Sequence, residues 1–270
     1  MFNILSWLFP KLPFPDQYTV NTQQIPTRNI RCILQYRGSA YHGWQKQPKG
    51  TTIQAIVEDC LSRILNESIR IKAASRTDAG VHALMQVINF RTTSSLSTEK
   101  IWRGLNSLLP KDIAVIYVDD VISEFDAQFS AKKKTYIYLI LNTTQRSPFL
   151  ERYSWQILHN LDIESMKKAG NCLIGQHDFA SFMGAGSDVK STVREIFRLE
   201  IKEFSPLIII EVEANGFLKH MVRNIVGVLI EIGLRKRHWK EIKTILDARD
   251  RRMAGINAPA KGLFLKEVKY

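Results

Sequence analysis

Residues 31–73, RCILQYRGSAYHGWQKQPKGTTIQAIVEDCLSRILNESIRIKA, change their hydrophobic period twice. Arg31–Tyr36 alternates β-favouring residues and reads as a strand. Ile53, Ile56, Val57, Cys60, Leu61, Ile64 and Leu65 recur at helical spacing, so 53–65 reads as an amphipathic helix. Thr51 stands ahead of it with Gln54 three residues on, a capping-box pattern. Ile69–Ala73 then reads as a short strand. Beyond a Gly-containing turn comes a strand at Met85–Arg91. Ser97 precedes a helix running to about Leu109, stopped by Pro110. Ile113–Val118 is the next strand, so the order is β-α-β-β-α-β.

The second half repeats that order without visible sequence identity to the first. Thr135–Leu141 is a strand, and Asp162 opens a helix through about Leu173. Val193–Glu203 and Leu207–Glu213 are strands joined by a turn at Ser205 and Pro206. Phe217–Ile232 and Trp239–Ala248 are helices, and Leu263–Val268 is the closing strand. The expected fold class is α+β: two ferredoxin-like βαββαβ halves with side-by-side, mostly antiparallel sheets and a central cleft. The expected division is a flexible tail at 1–27, an N-terminal half at 28–125 and a C-terminal half at 126–270.

Composition narrows the function classes. Hydrophobic residues make up 45% and charged residues 24% of 270, a globular composition that excludes a mainly disordered or collagenous chain. The apolar run Met1–Pro10 is too short to span a bilayer. It lacks a basic flank and a cleavage site, and Pro10 and Pro13 break it, so it does not read as a signal peptide. Lys plus Arg is 38 against 26 Asp plus Glu, a formal net charge of +12. A globular fold with that excess attracts polyanions, nucleic acid first. Cys32, Cys60 and Cys172 are scattered and odd in number, which argues for a reducing, cytoplasmic setting and against a disulfide framework or a structural zinc site. The six histidines form no HxxxH pair, and no metal is expected.

Ala74–Ala83, ASRTDAGVHA, occupies the turn between two expected strands. Arg76 and Asp78 are two apart, so on an extended strand end they face the same side. A guanidinium beside a carboxylate holds it ionised, as a nucleophile or base requires. Ala79 and Gly80 leave room for a bulky ligand at the backbone. The plainer reading is a turn-capping Asp with a surface salt bridge.

RTDAGVHA resembles the signature of the tRNA pseudouridine synthase A (TruA) family. So do YRGSAYHGWQKQP at Tyr36–Pro48, TTIQAIVEDCL at Thr51–Leu61 and LNSLLPKDIAV at Leu105–Val115. FSAKKKTYIYLI (Phe129–Ile140), GQHDFASF (Gly175–Phe182), GFLKHMVRNIVG (Gly216–Gly227) and APAKGLFL (Ala258–Leu265) follow in family order. The resemblance covers about Arg31 to Tyr270. It assigns Asp78 as the catalytic aspartate, Arg76 as the arginine beside it, Tyr136 as the tyrosine packing against the target base, and Arg223 as the arginine pairing with the aspartate. Arg223 falls on the row Lys219–Arg223–Gly227 of an otherwise apolar helix, where a buried guanidinium needs a carboxylate. Ser75 stands where the family usually has Gly, and Gln128 where it usually has Arg, which removes one phosphate-binding charge.

The reaction the resemblance implies is isomerisation of uridine to pseudouridine in the anticodon stem-loop of tRNA, at uridines on the 3′ side. The N1–C1′ bond breaks, the uracil turns and C5 joins C1′, with no cofactor. Asp78 attacks C1′ or C6, or takes the 2′ proton on a glycal route; all three stay open. The base must be flipped into the pocket, and Tyr136 offers a stacking face worth roughly 1–3 kcal/mol. Candidate RNA contacts are Arg37, His42, Lys46 and Lys49, then Lys132, Lys133 and Lys134; the run Arg235–His238 equally suits a helix C-terminus. The implied assembly is a homodimer with one tRNA spanning both subunits. The competing readings are a synthase acting on ribosomal RNA, a non-catalytic RNA-binding module and a metal-dependent nuclease. The turn's single carboxylate, Asp78, disfavours the nuclease.

Overall fold

The computed structural model describes residues 12, 16–20, 27–186 and 189–270. They form two compact units: one runs to Lys132 and takes in Leu265–Tyr270, the other is Lys133–Phe264. The division falls beyond the expected boundary at 125/126 because the Asp126–Ser130 turn belongs to the first unit. Its Asp126 carboxylate pairs with Lys72 and accepts from Gln128 N and Phe129 N, and Asn89 Oδ1 accepts from Ala127 N.

The first unit follows the expected order: β1 (Arg28–Tyr36), α1 (Ile53–Leu65), β2 (Lys72–Ala73), β3 (His82–Thr92), α2 (Thr98–Leu108) and β4 (Ile113–Val121). β1 is the central strand, antiparallel to β3 on one side and β4 on the other. β2 pairs with β3, and β10 (Leu263–Lys269) also lies beside β3. α1 buries Ile53, Val57, Cys60, Leu61 and Leu65, five of the seven positions its period picks out. Its N-cap is Thr52, not Thr51, and no side chain caps it; Gln54 instead serves Gln45 and Lys46 of the preceding loop. α2 is capped as expected, Ser97 accepting from Lys100 N. The strand expected at 69–73 shrinks to two residues, because Ile69 N and Ile71 N are taken by Ser62 and Glu58 side chains.

Asp16–Val20 falls inside the stretch expected to be a free tail, yet it is docked. Thr19 bridges Val121 of β4, and Tyr18 stacks against Phe125 and Tyr270. Arg31 explains the docking. Its guanidinium is fully buried and shared between Asp119 and Asp16. A buried charge of this kind is tolerated only when paired. The remainder of the expected tail, apart from Leu12 and Thr27, lies outside the described residues.

The second unit contains β5 (Lys133–Asn142), β6 (Trp155–Ile157), α3 (Ile163–Asn171), β7 (Gly175–Asp178), β8 (Val193–Phe204), β9 (Leu207–Ala214), α4 (Met221–Gly233) and α5 (Glu241–Ala248). Its sheet runs β5-β9-β8-β7 antiparallel, with β6 parallel to β5. β5, α3, β8, β9, α4 and α5 are the expected elements, while β6 and β7 are too short to leave a periodic signal. α4 starts at Met221 rather than Phe217, because His220 takes a left-handed φ of 60°. Lys219 therefore precedes the helix, and its Nζ donates to Ala185 O.

Candidate active site

In the first unit the Ala74–Ala83 turn joins β2 to β3, as expected, and its backbone is fixed from below. Thr77 is buried; its hydroxyl bonds the Tyr36 hydroxyl at 2.8 Å and its carbonyl accepts from Trp44 N at 2.9 Å. Gln86, fully buried on β3, donates to Ser75 O and accepts from Ser75 N. His82 Nδ1 accepts from Gly38 N. Two glycines let the 37–44 loop press against this turn. A Cβ on Gly38 would sit 1.9 Å from Val81 O, and one on Gly43, at φ +91°, would meet Thr77 O at 3.0 Å and Ala79 N at 3.1 Å. The turn closes through Val81 N donating to Asp78 O across Gly80. Asp78 is therefore a half-buried carboxylate on a backbone fixed at the residue before it and the residues after it.

The expected ion pair between Arg76 and Asp78 is not formed: Arg76 is exposed and pairs with no carboxylate among the described residues. A long exposed side chain gains little from such a pair and keeps its water. Ser75, one of the two departures from the family pattern, is bracketed by Gln86 and fits the turn without strain.

The other basic candidates are scattered. Arg37 is exposed, 3.8 Å from Asp112. His42 is exposed above Gly50, and Lys46 lies 3.5 Å from Glu58. Lys49 and Lys132 are exposed. Lys133 and Lys134, at the start of β5, point to opposite faces, so the run is not one basic patch. Lys133 pairs with Glu213 and lies over the Phe197 ring, whereas burial and the charge of Arg194 push the Lys134 ammonium down to about 8.

In the second unit, motifs far apart in sequence converge on the first turns of α4. Tyr136 is buried on β5 with its ring edge-on to Phe217 at 5.1 Å. Arg223, half-buried on α4, donates from Nε to Ala258 O at 2.7 Å, and Ala258 N donates back to Arg223 O. Its neighbour Asn224 is fully buried; it donates to Phe182 O and accepts from Arg251. A Cβ on Gly227 would lie 1.9 Å from Ile256 O, so the 256–258 segment lies directly on the helix backbone. Tyr138 donates its hydroxyl to Pro259 O and packs on Gly262. The segments 179–182, 216–224 and 256–262 thus form one assembly.

Sequence reading did not find Tyr36, Gln86 or Asn224. Gln86 and Asn224 carried a signal: each is an amide inside a mostly apolar element. Tyr36 carried none, since a strand tyrosine is ordinarily core. Among the described residues no group of three or more His, Cys, Asp or Glu is arranged to hold a metal ion, and no helix is long and apolar enough to cross a membrane.

The family model described as tRNA pseudouridine synthase matches residues 33–130 and 169–270. A protein of Thermoanaerobacter sp. strain X514 named tRNA pseudouridine synthase A is 45% identical over 243 residues, which cover 90% of this chain and all of that one. Relatives of the same name from Acetivibrio thermocellus and Coxiella burnetii are 41% and 44% identical, covering 90% and 89% of this chain and 100% and 92% of theirs. The matched residues include both the Asp78 turn and the α4 assembly. The chain belongs to the tRNA pseudouridine synthase family.

Proposed function

We propose that this protein isomerises uridine to pseudouridine in the anticodon stem-loop of tRNA, with Asp78 as the catalytic group. The observation that carries the reading is the anchoring of the Asp78 turn. Hydrogen bonds from Tyr36, Trp44 and Gln86, and close backbone contacts at Gly38 and Gly43, fix a carboxylate-bearing turn between two rigid strands. Holding a reactive group in one geometry is what converts a weak nucleophile or base into a catalyst. The relatives' name supports tRNA as the substrate.

Asp78 opens the N1–C1′ bond by attack at C1′ or C6 or by removing the 2′ proton. The freed uracil turns, C5 bonds to C1′, and the C5 proton leaves to solvent. Tyr136 stacks on the flipped base, its ring held by Phe217. Arg223, fixed by Ala258, and the exposed Arg76 bind the uridine and its backbone. Arg37, His42, Lys46, Lys49 and Lys132 extend the contact to phosphates further along the RNA. The protein acts in the cytoplasm as a homodimer, which sedimentation of the free protein would test.

Tritium at C5 of uridine is released when C5 forms its new bond. A tRNA transcript labelled in this way should lose tritium from uridines on the 3′ side of its anticodon stem-loop. Release from a ribosomal RNA transcript and none from tRNA would overturn the substrate assignment.

A further inference from the structure

The face of the second unit's sheet that carries Tyr136 also carries two cations, Lys134 and Arg194, on strands two apart. Lys134 precedes Tyr136 by two residues on β5, so the two side chains share a face about 7 Å apart. Lys134 is paired in register with Ala214 of β9, and Ala214 with Ile196 of β8. Arg194 lies two residues before Ile196 and therefore on the same face. Burial lowers the basicity of Arg194, and burial with the Arg194 charge lowers that of Lys134. Like charges held together away from water cost free energy that a bound anion between them returns.

Arg194 is placed for such an anion. Its Nη1 donates to Ser191 O and Val193 O, which fixes the guanidinium. No carboxylate among the described residues pairs with it. Several other half-buried or buried guanidiniums hold carboxylates: Arg28 holds Asp120, Arg31 holds Asp119 and Asp16, and Arg198 holds Glu200 and Glu211, while Arg251 is held by Gly255 O and Asn224 Oδ1. The backbone at Gly216, immediately before Phe217, runs beside Arg194: a Cβ there would make ordinary contact with Nε at 3.7 Å.

We propose that Lys134 and Arg194 bind the backbone phosphate next to the uridine that stacks on Tyr136. The assignment rests on the reading of Tyr136 given above. It makes the two residues positioning residues: they hold one nucleotide by its phosphate while its base lies against the tyrosine, and they touch no reacting atom. The guanidinium supplies planar donors to two phosphate oxygens and the ammonium a point charge.

The test measures binding alone, so it fails or succeeds separately from the role of Asp78. An anticodon stem-loop RNA is prepared with the phosphate on one side of the target uridine, then the other, replaced by a neutral methylphosphonate. One of the two replacements should weaken binding to the wild-type protein about tenfold and leave binding to Arg194→Gln and Lys134→Gln unchanged. Both variants should bind unmodified RNA about tenfold more weakly, with the log–log salt slope reduced by about 0.7–0.9 for the lost contact. Arg194→Lys, which keeps the charge, should retain sensitivity to the same neutral linkage and serves if a Gln variant does not fold. An unchanged slope in the variants, or a methylphosphonate penalty that multiplies with the Arg194 penalty, would overturn the proposal.

Discussion

At Gly43 a methyl group would meet the backbone of the Asp78 turn at Thr77 O and Ala79 N, and φ is +91°, where an L side chain is strained. Gly43→Ala should therefore displace the turn rather than unfold the unit. The expected result is a melting temperature lowered by the equivalent of about 1–3 kcal/mol and a single-turnover rate reduced at least tenfold, with tRNA affinity within about threefold. Thermal unfolding and a single-turnover assay check both, and a full rate would show that the turn position does not matter. At this scale the sequence was informative about the turn and silent about its supports. RTDAGVHA marks itself by small residues around a charge. Tyr36 reaches Thr77 across 41 positions, and nothing in a strand tyrosine announces that partner. The Arg76–Asp78 pair was misjudged for the converse reason: spacing puts both residues on one side, but spacing does not say that an exposed arginine will give up its water.

Elements with a long period were legible, and those fixed by side chains were not. α1 has the bounds its seven apolar positions require. α4 is three to four residues shorter than its apolar stripe implies, because His220 turns left-handed and Gly184 packs against its ring. β2 is cut short by Ser62 and Glu58 side chains that capture the donors a longer strand would use. The docking of Asp16–Val20 on β4 depends on Arg31, whose burial alternation alone hints at, since it stands in a strand of apolar residues. Removing Asp119 takes away one of the two carboxylates that pair with this buried guanidinium, so Asp119→Ala should cost about 3–5 kcal/mol in urea unfolding. Asp16→Ala, which leaves Asp119 in place and opens a side with some exposure, should cost less than half as much. Equal losses would mean that the two carboxylates are not alternatives for one charge.

For the whole molecule the excess of positive charge, +12, favours a polyanion, and the number of phosphates contacted sets how RNA binding responds to salt. The affinity for tRNA should fall linearly on a log–log plot against salt. Lys132→Ala should reduce the slope by about 0.7–0.9, one phosphate contact. Lys133→Ala should leave the slope unchanged and lower the melting temperature, because it removes an ion pair to the buried Glu213. The reverse pattern would put Lys133 at the RNA and Lys132 in plain solvent. The ordered series of motifs was enough to place the chain in its family, and the second unit shows what that order accomplishes: residues 182, 224 and 258, remote in sequence, meet at α4. Which carboxylate performs the chemistry is a separate matter from which fold carries it. The most direct measurement is pseudouridine formation and tRNA binding by Asp78→Asn, an isosteric change that removes the nucleophile or base and leaves the phosphate contacts intact. The account predicts no detectable pseudouridine and a tRNA affinity within about threefold of wild type; a variant that keeps a tenth or more of the wild-type rate would contradict it.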